Sequence, residues 1–404
     1  MPRIASRIAA ITPSATLVVD SKAKALKADG QPVIGFGAGE PDFPTPAHIV
    51  EAARQALNDP KNFRYSPSAG LPELKQAIAE KTLRDSGVQV EPSQVLVTNG
   101  GKQAVYEAFA AVIDTGDDVL LPAPYWTTYP ECIRLAGGNP IEVFAGSEQD
   151  YKVTVEQLEA AYTPATKALL FVSPSNPTGS VYTEEETRAI GQWALAKGIF
   201  VFTDEIYEKI IYDGAEAINL ATLTGDDVLC LTFSGLSKAY RVCGYRAGWV
   251  AITGPKHEAA NYIEGITLLA SMRLCSNVPA QHAIQTALGG YQSIDALVAP
   301  GGRLHEQRDV AYRMLNEIDG ISCNQSDGAL YLFPKVDTEK FNIVDDEKFM
   351  LDLLKEQKIL FSHGGAFNWH KPDHFRLVFL PDVQTLTDAL NRLGEFLSDY
   401  KQRA

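Results

Sequence analysis

Residues 233–246 read FSGLSKAYRVCGYR and hold a single lysine, Lys238, among small residues, with Arg246 eight positions further on. The apolar run at residues 228–233 predicts a buried strand. Lys238 would therefore lie where a strand leaves a sheet, on a turn of serine and glycine. A lysine amine at such an edge can bind an aldehyde as a Schiff base when burial or neighbouring cations favour its uncharged form. The same residues are also compatible with an ordinary solvated lysine in a loop. Only the rest of the chain distinguishes this alternative from a lysine that forms a Schiff base.

The length and composition limit the kinds of protein this can be. With 404 residues, 45% of them hydrophobic, the chain can bury two cores, and we predict one large and one smaller domain. The formal net charge of -14 disfavours nucleic-acid partners, because a nucleic-acid-binding face must supply cations to the phosphates. An acidic metabolic enzyme fits this composition.

The sequence also predicts where the protein works. Residues 1–10 lack the apolar core and cleavage site of a secretory signal, and no apolar run reaches the length of a membrane span. The five cysteines have no metal-binding spacing and form no CxxC pair, which is typical of free buried thiols in a reducing compartment. We therefore predict a cytoplasmic protein without membrane contact or a metal site.

A second motif is the glycine-rich stretch at residues 32–46, which reads PVIGFGAGEPDFPTP and follows a predicted helix at residues 16–28. Its three glycines suggest a dinucleotide fingerprint, but that motif must open directly into a helix. Three prolines within residues 40–46 prevent this. We instead expect the glycines, Gly39 among them, to bring backbone N–H groups close to a ligand, with a plain loop as the alternative.

Short apolar runs alternate with helical patterns through the middle of the chain. The predicted strands are residues 94–98, 119–121, 168–172, 199–203, 228–233 and 249–252, and the predicted helices include residues 102–113 and 184–197. This alternation is typical of an α/β fold with a mostly parallel sheet and helices on both faces. Ligands of such sheets bind beyond the carboxyl ends of the strands.

Polar and aromatic groups follow these strands where a ligand would bind. In chain order they are Gly101 and Lys102, Trp126, Asn176, Asp204 with Tyr207, and Lys238 with Arg246. The first pair opens a helix whose N-terminal N–H groups favour an anion such as a phosphate. Each group alone has a plain structural alternative, for example Asp204 as a helix cap or Trp126 as core. Their occurrence after five different strands makes coincidence a poor explanation.

The sequence pattern of the C-terminal part predicts a different organisation from the alternating strands and helices before it. The helical pattern continues from Pro255 to residue 288, and Gly301 and Gly302 mark a break. Helices and shorter strands follow, including strands at residues 328–334 and 374–378. Arg376 lies in the second of these apolar strands. A buried arginine is costly without an anionic partner, so we expect it to meet a carboxylate of the protein or of a substrate.

Together these motifs resemble those of the class I aminotransferases, which are pyridoxal-phosphate enzymes of fold type I, over essentially the whole chain. The resemblance implies pyridoxal 5′-phosphate as the cofactor and a homodimer with shared active sites. It also implies a large cofactor-binding domain at residues 46–290, with a mostly parallel sheet flanked by helices. A smaller α+β domain would be built from both termini, residues 1–45 and 291–404.

The resemblance assigns cofactor roles to five of these residues. Lys238 would hold the cofactor as a Schiff base, and Asp204 would pair with the pyridine nitrogen. Tyr207 and Asn176 would hydrogen-bond the ring hydroxyl, while Trp126 would stack on the ring. A carboxylate beside the nitrogen keeps it protonated, so that the ring can accept electrons from the substrate Cα.

The remaining implied roles concern the phosphate and the substrate. The implied phosphate contacts are Gly101, Lys102, Arg246 and, from the neighbouring subunit, Tyr65. Arg376 would bind the substrate α-carboxylate, assisted by Gly39 and Asn176, with Trp126 lining the same site. In the aspartate-type pattern, the lysine that matches Lys102 also receives the distal carboxylate of the substrate.

Two departures from the family pattern matter. Some members carry a hydroxyl three residues before the lysine for the phosphate, whereas this chain has Gly235, with Ser234 and Ser237 as candidate replacements. In addition, the chain up to about Tyr212 resembles bacterial aspartate aminotransferases, and the chain from about Leu229 resembles bacterial alanine aminotransferases. This division indicates a mosaic origin.

We therefore expect a 2-oxoglutarate-dependent aminotransferase with ping-pong turnover. Aspartate as donor, giving oxaloacetate and glutamate, is favoured over alanine, giving pyruvate and glutamate, because Lys102 and Trp126 belong to the aspartate-like half. The alternatives are a β-eliminating lyase of the same fold, a catalytically inactive homologue and a cofactor-binding regulator. The regulator would need a DNA-reading domain, and no basic helix-turn-helix pattern precedes Pro32.

Overall fold

The structure is a computed structural model that describes residues 4–12 and 15–403. Residues 1–3, 13, 14 and 404, which belong to the predicted small domain, lie outside the described residues. None of the described helices is long and apolar enough to cross a bilayer.

Helices and strands alternate over much of the described chain. The helices are α1 (Ser6–Ala9), α2 (Ala15–Ala28), α3 (Ala47–Ala56), α4 (Pro72–Ser86), α5 (Gly101–Val112), α6 (Tyr129–Ala136), α7 (Val155–Ala161), α8 (Glu184–Lys197), α9 (Leu220–Thr224), α10 (Lys256–Met272), α11 (Val278–Leu288), α12 (Asp295–Val298), α13 (Arg303–Glu317), α14 (Thr338–Phe341), α15 (Asp346–Gln357) and α16 (Val383–Asp399). The strands are β1 (Ile34–Gly35), β2 (Val95–Thr98), β3 (Asp118–Ala123), β4 (Asn139–Phe144), β5 (Thr166–Val172), β6 (Phe200–Asp204), β7 (Cys230–Gly235), β8 (Gly248–Thr253), β9 (Ile321–Ser322), β10 (Tyr331–Leu332), β11 (Lys335–Val336), β12 (Ile359–Leu360), β13 (Ser362–His363) and β14 (Phe375–Val378).

The centre of the fold is a seven-stranded sheet in the order β2–β8–β7–β6–β5–β3–β4. Strand β8 runs antiparallel to both of its neighbours, and the remaining pairs of this sheet are parallel. Successive side chains of each strand point to opposite faces, so apolar runs bury both faces. One face packs against α5, α6 and α10, and the other packs against α4, α8 and α11. The predicted α/β fold with a mostly parallel sheet is confirmed.

The six predicted strands all form, each within two residues of its predicted ends, and the helix predicted at residues 184–197 is α8. The sheet also contains β4, which no apolar run predicted, because this edge strand keeps most of its side chains at least partly exposed. The helical pattern of residues 255–288 divides into α10 and α11. The strand predicted at residues 328–334 is wrong in length, since only Tyr331 and Leu332 form β10.

Smaller sheets lie outside the central sheet, and one of them pairs an N-terminal strand with a C-terminal strand. Strand β1 is parallel to β12, and β10, β14 and β13 form a separate antiparallel sheet. The pairing of β1 with β12 places residues before 46 against residues after 291, whereas β10, β13 and β14 all lie after residue 291. The boundaries 1–45, 46–290 and 291–404 stay a prediction.

The cysteines are free thiols, as predicted. Cys132 and Cys230 are buried as predicted, whereas the prediction of burial is wrong for Cys243, Cys275 and Cys323, which are only partly buried.

Candidate active site

The carboxyl ends of β5, β6 and β7 lie side by side at one edge of the central sheet. Val172 of β5 is paired with Asp204 of β6, and Asp204 is paired with Phe233 of β7. A cavity of about 580 Å³ opens at this edge. The predicted site residues that line it are Gly39, Gly101, Lys102, Trp126, Asn176, Asp204, Tyr207, Lys238, Arg246 and Arg376. Tyr65 is the one predicted residue that does not line the cavity of its own chain.

The buried carboxylate of the cavity belongs to Asp204. Its Oδ2 accepts a hydrogen bond from the Tyr129 hydroxyl at 2.7 Å, and its Oδ1 accepts one from the Ile206 amide at 3.2 Å. Burial raises the pKa of Asp204 above its ordinary value, and the hydrogen bond from Tyr129 opposes that rise. A cation placed against this carboxylate would therefore stabilise its charged form.

Another part of the cavity is suited to an anion. Gly100 precedes α5, whose first N–H groups have no acceptor within the helix. Gly100 has φ +84°, and a Cβ on it would lie 2.3 Å from Nη2 of Arg246, so glycine lets the guanidinium approach this turn. Arg246 itself is held by a hydrogen bond from Nη1 to the Cys243 carbonyl oxygen at 2.7 Å. Free N–H groups, the helix dipole and the guanidinium together favour a phosphate.

Lys238 lies beyond the end of β7, as predicted, and follows this strand by three residues. Its Nζ donates a hydrogen bond to the Gly39 carbonyl oxygen at 2.5 Å. The same nitrogen lies 5.9 Å from the centre of the Tyr207 ring. The amine is thus inside the cavity, between the glycine-rich stretch and the exit of β6.

The absence of a hydroxyl at position 235 has a steric cause. A Cβ on Gly235 would lie 2.8 Å from the Ala247 carbonyl oxygen, so a side chain there would clash with the chain entering β8. Ser234 donates to Glu208 Oε1 at 3.1 Å, which directs its hydroxyl to a carboxylate. Ser237 also lines the cavity and is the better candidate for the missing hydroxyl.

Arg376 is the buried arginine that the sequence predicted to need a carboxylate. Its Nη1 donates to Asn176 Oδ1 at 2.8 Å, and its Nη2 donates to the Gly37 carbonyl oxygen at 2.5 Å. Its Nε has no hydrogen-bond partner among the described residues. Burial lowers the pKa of Arg376, although an arginine starts so high that it remains charged at neutral pH. No carboxylate among the described residues neutralises it, so a ligand carboxylate remains the fitting partner.

Lys102 adds a further cation beside Trp126. Its Nζ lies 4.8 Å from the centre of the indole ring. The side chain keeps solvent contact, yet the cavity walls lower the pKa of Lys102 by desolvation, and Arg246 and Lys238 act in the same direction. No carboxylate of the described residues offsets this effect.

The comparisons with known proteins concern nearly the whole chain. A family profile described as aminotransferase class I and II matches residues 31–393. The chain belongs to this family. It is 48% identical to an aspartate aminotransferase of Streptomyces avermitilis, over 99% of this chain and 97% of that protein. It is 46% identical to an alanine aminotransferase of Mycobacterium tuberculosis, over 95% of this chain and 90% of that protein. A crystal structure of an aminotransferase from Escherichia coli has a TM-score of 0.96 with 40% identity, covering 100% of both chains.

As a class I and II aminotransferase, the protein is a transaminase that uses pyridoxal 5′-phosphate and acts on amino acids and 2-oxo acids. The residues present fit this cofactor. The turn before α5 with Arg246 suits its phosphate, and the buried Asp204 suits a protonated ring nitrogen. Lys238 brings an amine into the same cavity.

Two tyrosines of this aminotransferase site were not predicted from the sequence. Tyr129 lies at the start of α6 and contacts Asp204, while Tyr331 lies on β10 and places its hydroxyl oxygen 2.5 Å from that of Tyr207. Tyr331 falls within the apolar run at residues 328–334, which was the only signal available for it.

A second groove of about 1170 Å³ lies outside this site, between α7, α8 and residues 324–327. Its charged lining residues are acidic apart from Lys152. A phosphate or a dicarboxylate would be repelled there, so this groove does not compete with the cavity at the sheet edge.

Proposed function

We propose that this aminotransferase transfers the amino group of aspartate to 2-oxoglutarate, forming oxaloacetate and glutamate in a ping-pong reaction. The observation that carries the choice of donor is the ammonium of Lys102 beside Trp126. A substrate that fills the cavity displaces water from this ammonium, which is costly unless the substrate brings an anion. The distal carboxylates of aspartate, glutamate and 2-oxoglutarate would supply that anion, whereas alanine carries none.

Seven residues would hold and tune the cofactor. Asp204 would keep the pyridine nitrogen protonated, and Tyr207 with Asn176 would hydrogen-bond the ring hydroxyl oxygen. Trp126 would cover the ring, and the Gly101 amide, with Arg246 and Lys102 nearby, would hold the phosphate. The cofactor, when bound, supplies an electron sink for the charge that develops at the substrate Cα.

Lys238 would move the substrate proton. Its Nζ would take the proton from the substrate Cα as a general base and return it as a general acid. Arg376 would bind the α-carboxylate with its fixed guanidinium, while Asn176 and the Gly39 backbone assist. Holding the carboxylate in this way fixes Cα relative to the amine, which lowers the entropic cost of the transfer.

Alanine as the amino donor is the second candidate. Relatives at 48% and 46% identity carry the names aspartate aminotransferase and alanine aminotransferase, so overall similarity does not separate the two donors. A β-eliminating activity is a weaker third candidate, since the names of these relatives are those of transaminases. The mosaic origin remains a prediction.

The proposal includes a homodimer in which Tyr65 reaches the phosphate of the neighbouring subunit. Tyr65 is 79% exposed, and the apolar side chains of Phe63, Leu268 and Met272 are also exposed. A partner subunit that covered these side chains would bury their apolar surface. We place the protein in the cytoplasm because its cysteines are free thiols.

The deciding experiment follows the cofactor absorbance of the purified holoenzyme as single amino acids convert its aldehyde form to the amine form. Aspartate and glutamate should react at least tenfold more efficiently than alanine. A faster reaction with alanine would replace aspartate by alanine in the proposal, and release of ammonia would indicate the lyase. Borohydride reduction followed by peptide mapping should place the cofactor on Lys238, and a label on another lysine would overturn that assignment.

A further inference from the structure

The hydrogen bond within the phenol pair of Tyr207 and Tyr331 has no role in the scheme above, in which Tyr207 contacts the cofactor and Tyr331 does not appear. The two hydroxyl oxygens lie 2.5 Å apart, and the rings meet edge to face with centres 5.6 Å apart. Both side chains are buried and both line the cavity. At this distance the two hydroxyl groups share one hydrogen bond, in which one phenol donates and the other accepts.

The strand pairing explains why Tyr331 stands beside Arg376. Tyr331 of β10 is paired with Val378 of β14, and Arg376 lies two residues before Val378 on the same face of that strand. The guanidinium carbon of Arg376 accordingly lies 4.5 Å from the centre of the Tyr331 ring. Tyr207 follows β6 of the central sheet instead. The phenol pair therefore links the strand that carries the carboxylate-binding arginine to the sheet that carries the cofactor residues.

We propose that Tyr331 is a positioning residue, which donates a hydrogen bond to the Tyr207 oxygen and thereby directs the Tyr207 hydroxyl proton toward the ring hydroxyl of the cofactor. This inference rests on the role proposed above for Tyr207. If Tyr207 donated to Tyr331 instead, its hydroxyl proton would be engaged in that hydrogen bond. It could then not be donated to the ring hydroxyl of the cofactor.

The surroundings favour this direction of donation. The cationic guanidinium of Arg376 over the Tyr331 ring withdraws electron density and strengthens Tyr331 as a donor. Burial and the neighbouring Tyr331 raise the pKa of Tyr207 well above its ordinary value, so Tyr207 stays a neutral phenol, which can accept one hydrogen bond while it donates another. A hydroxyl that accepts one hydrogen bond becomes a stronger donor in the next, because bonds in a chain polarise one another.

Gly39 makes room for this arrangement. A Cβ on Gly39 would lie 2.2 Å from the Tyr331 hydroxyl oxygen, so any larger residue would displace the phenol. The carbonyl of the same residue accepts the hydrogen bond from Lys238. Glycine at this position therefore serves the phenol pair as well as the amine.

The proposal predicts a spectroscopic change. A hydroxyl that donates a hydrogen bond to the ring oxygen stabilises the negative charge on that oxygen. It therefore lowers the midpoint pH at which the bound cofactor releases a proton and changes its absorbance. Removing the Tyr207 hydroxyl should raise this midpoint by about one to two pH units, the size expected for one hydrogen bond to a charged group. Removing only the Tyr331 hydroxyl should raise it by about half a unit, because the bond from Tyr207 is weakened rather than lost.

The test is a pH titration of cofactor absorbance in wild-type, Tyr331→Phe, Tyr207→Phe and doubly substituted holoenzymes. Tyr212→Phe is the matched control, because Tyr212 is a buried tyrosine whose hydroxyl donates to the Ala329 carbonyl oxygen at 3.0 Å, outside the cavity. The control should keep the wild-type midpoint. The double variant should match Tyr207→Phe, since Tyr331 acts only through Tyr207.

Each failure has a distinct meaning. A wild-type midpoint in Tyr331→Phe, with a raised midpoint in Tyr207→Phe, overturns the positioning role and leaves the proposed role of Tyr207 standing. A wild-type midpoint in both variants overturns the role of Tyr207 as well. A shift in the double variant equal to the sum of the single shifts shows that Tyr331 acts independently, which also overturns the proposal.

Discussion

Nη1 of Arg376 donates to Oδ1 of Asn176 at 2.8 Å, which joins β14 to the loop that follows β5. This bond and the one to the Gly37 carbonyl fix the guanidinium while its Nε stays without a partner among the described residues. A fixed arginine of this kind can bind a carboxylate without losing further side-chain freedom.

Arg376→Lys should reduce kcat/KM about ten- to a hundredfold for every amino acid and 2-oxo acid, because lysine keeps the charge but loses the planar fork. Steady-state kinetics with aspartate and alanine would measure this effect. Arg392→Lys on the surface of α16, where Arg392 pairs with Asp388, is the control and should behave as wild type. A loss confined to one donor would contradict an α-carboxylate role.

Lys102→Ala should act on one donor only. If Lys102 binds the distal carboxylate, its loss removes a charged hydrogen bond of about 1.5–3 kcal/mol and lowers kcat/KM for aspartate roughly ten- to a hundredfold. Alanine should be nearly unaffected when the assay contains saturating cofactor. Lys197→Ala, which removes an ammonium 4.6 Å from the Tyr162 ring outside the cavity, controls for the loss of a cation–aromatic contact. Equal losses for both donors would count against aspartate.

Tyr65 allows a test of the shared active site. Lys238→Ala and Tyr65→Phe should each be inactive or impaired as pure homodimers, whereas a hybrid dimer would hold one site with both residues intact. Random reassortment makes half of the dimers hybrids, so about a quarter of wild-type activity should return. Unmixed variants carried through the same reassortment are the control. Confirmed hybrids without recovered activity would contradict a tyrosine shared between subunits.

The convergence of the site was predictable because parallel strands are buried on both faces and therefore appear as apolar runs. Their carboxyl ends meet at one sheet edge, so the residues after β5, β6 and β7 had to come together. Asn176, Asp204 and Lys238 were found from the sequence for this reason. The roles of these residues, by contrast, depend on the resemblance to a family and on the proposals above.

Tyr129 and Tyr331 could not be predicted in the same way. Tyr129 begins a helix and Tyr331 lies on a two-residue strand, and neither position has a pattern that tells where a phenol points. Their contacts with Asp204 and Tyr207 arise from packing between segments that are far apart in sequence. Strand β4 was missed for a related reason, since an exposed edge strand lacks an apolar run.

The carboxyl group of Glu205, the residue after Asp204, should make the stability of the folded protein depend on pH. It is buried and accepts a hydrogen bond from Asn219 at 3.0 Å, while the nearby Lys81 pairs with Glu208 at 2.5 Å. Burial, together with the charge of Glu208, raises the pKa of Glu205 to about 8. The folded protein thus holds a proton that the unfolded chain releases above about pH 4.3. Stability should therefore fall as the pH rises from about 5 to 8.

Glu205→Gln should remove this dependence, because the amide stays neutral and can still bond to Asn219. The free energy of unfolding of the variant minus that of wild type should therefore increase between pH 5 and pH 8. The increase should be on the order of 2–4 kcal/mol, since one pKa unit corresponds to about 1.36 kcal/mol. Urea unfolding of the holoenzymes at several pH values would measure the difference. Glu73→Gln on the exposed side of α4 is the control and should follow the wild-type curve. A variant whose stability stays parallel to wild type over this range would show that Glu205 is already charged at pH 5.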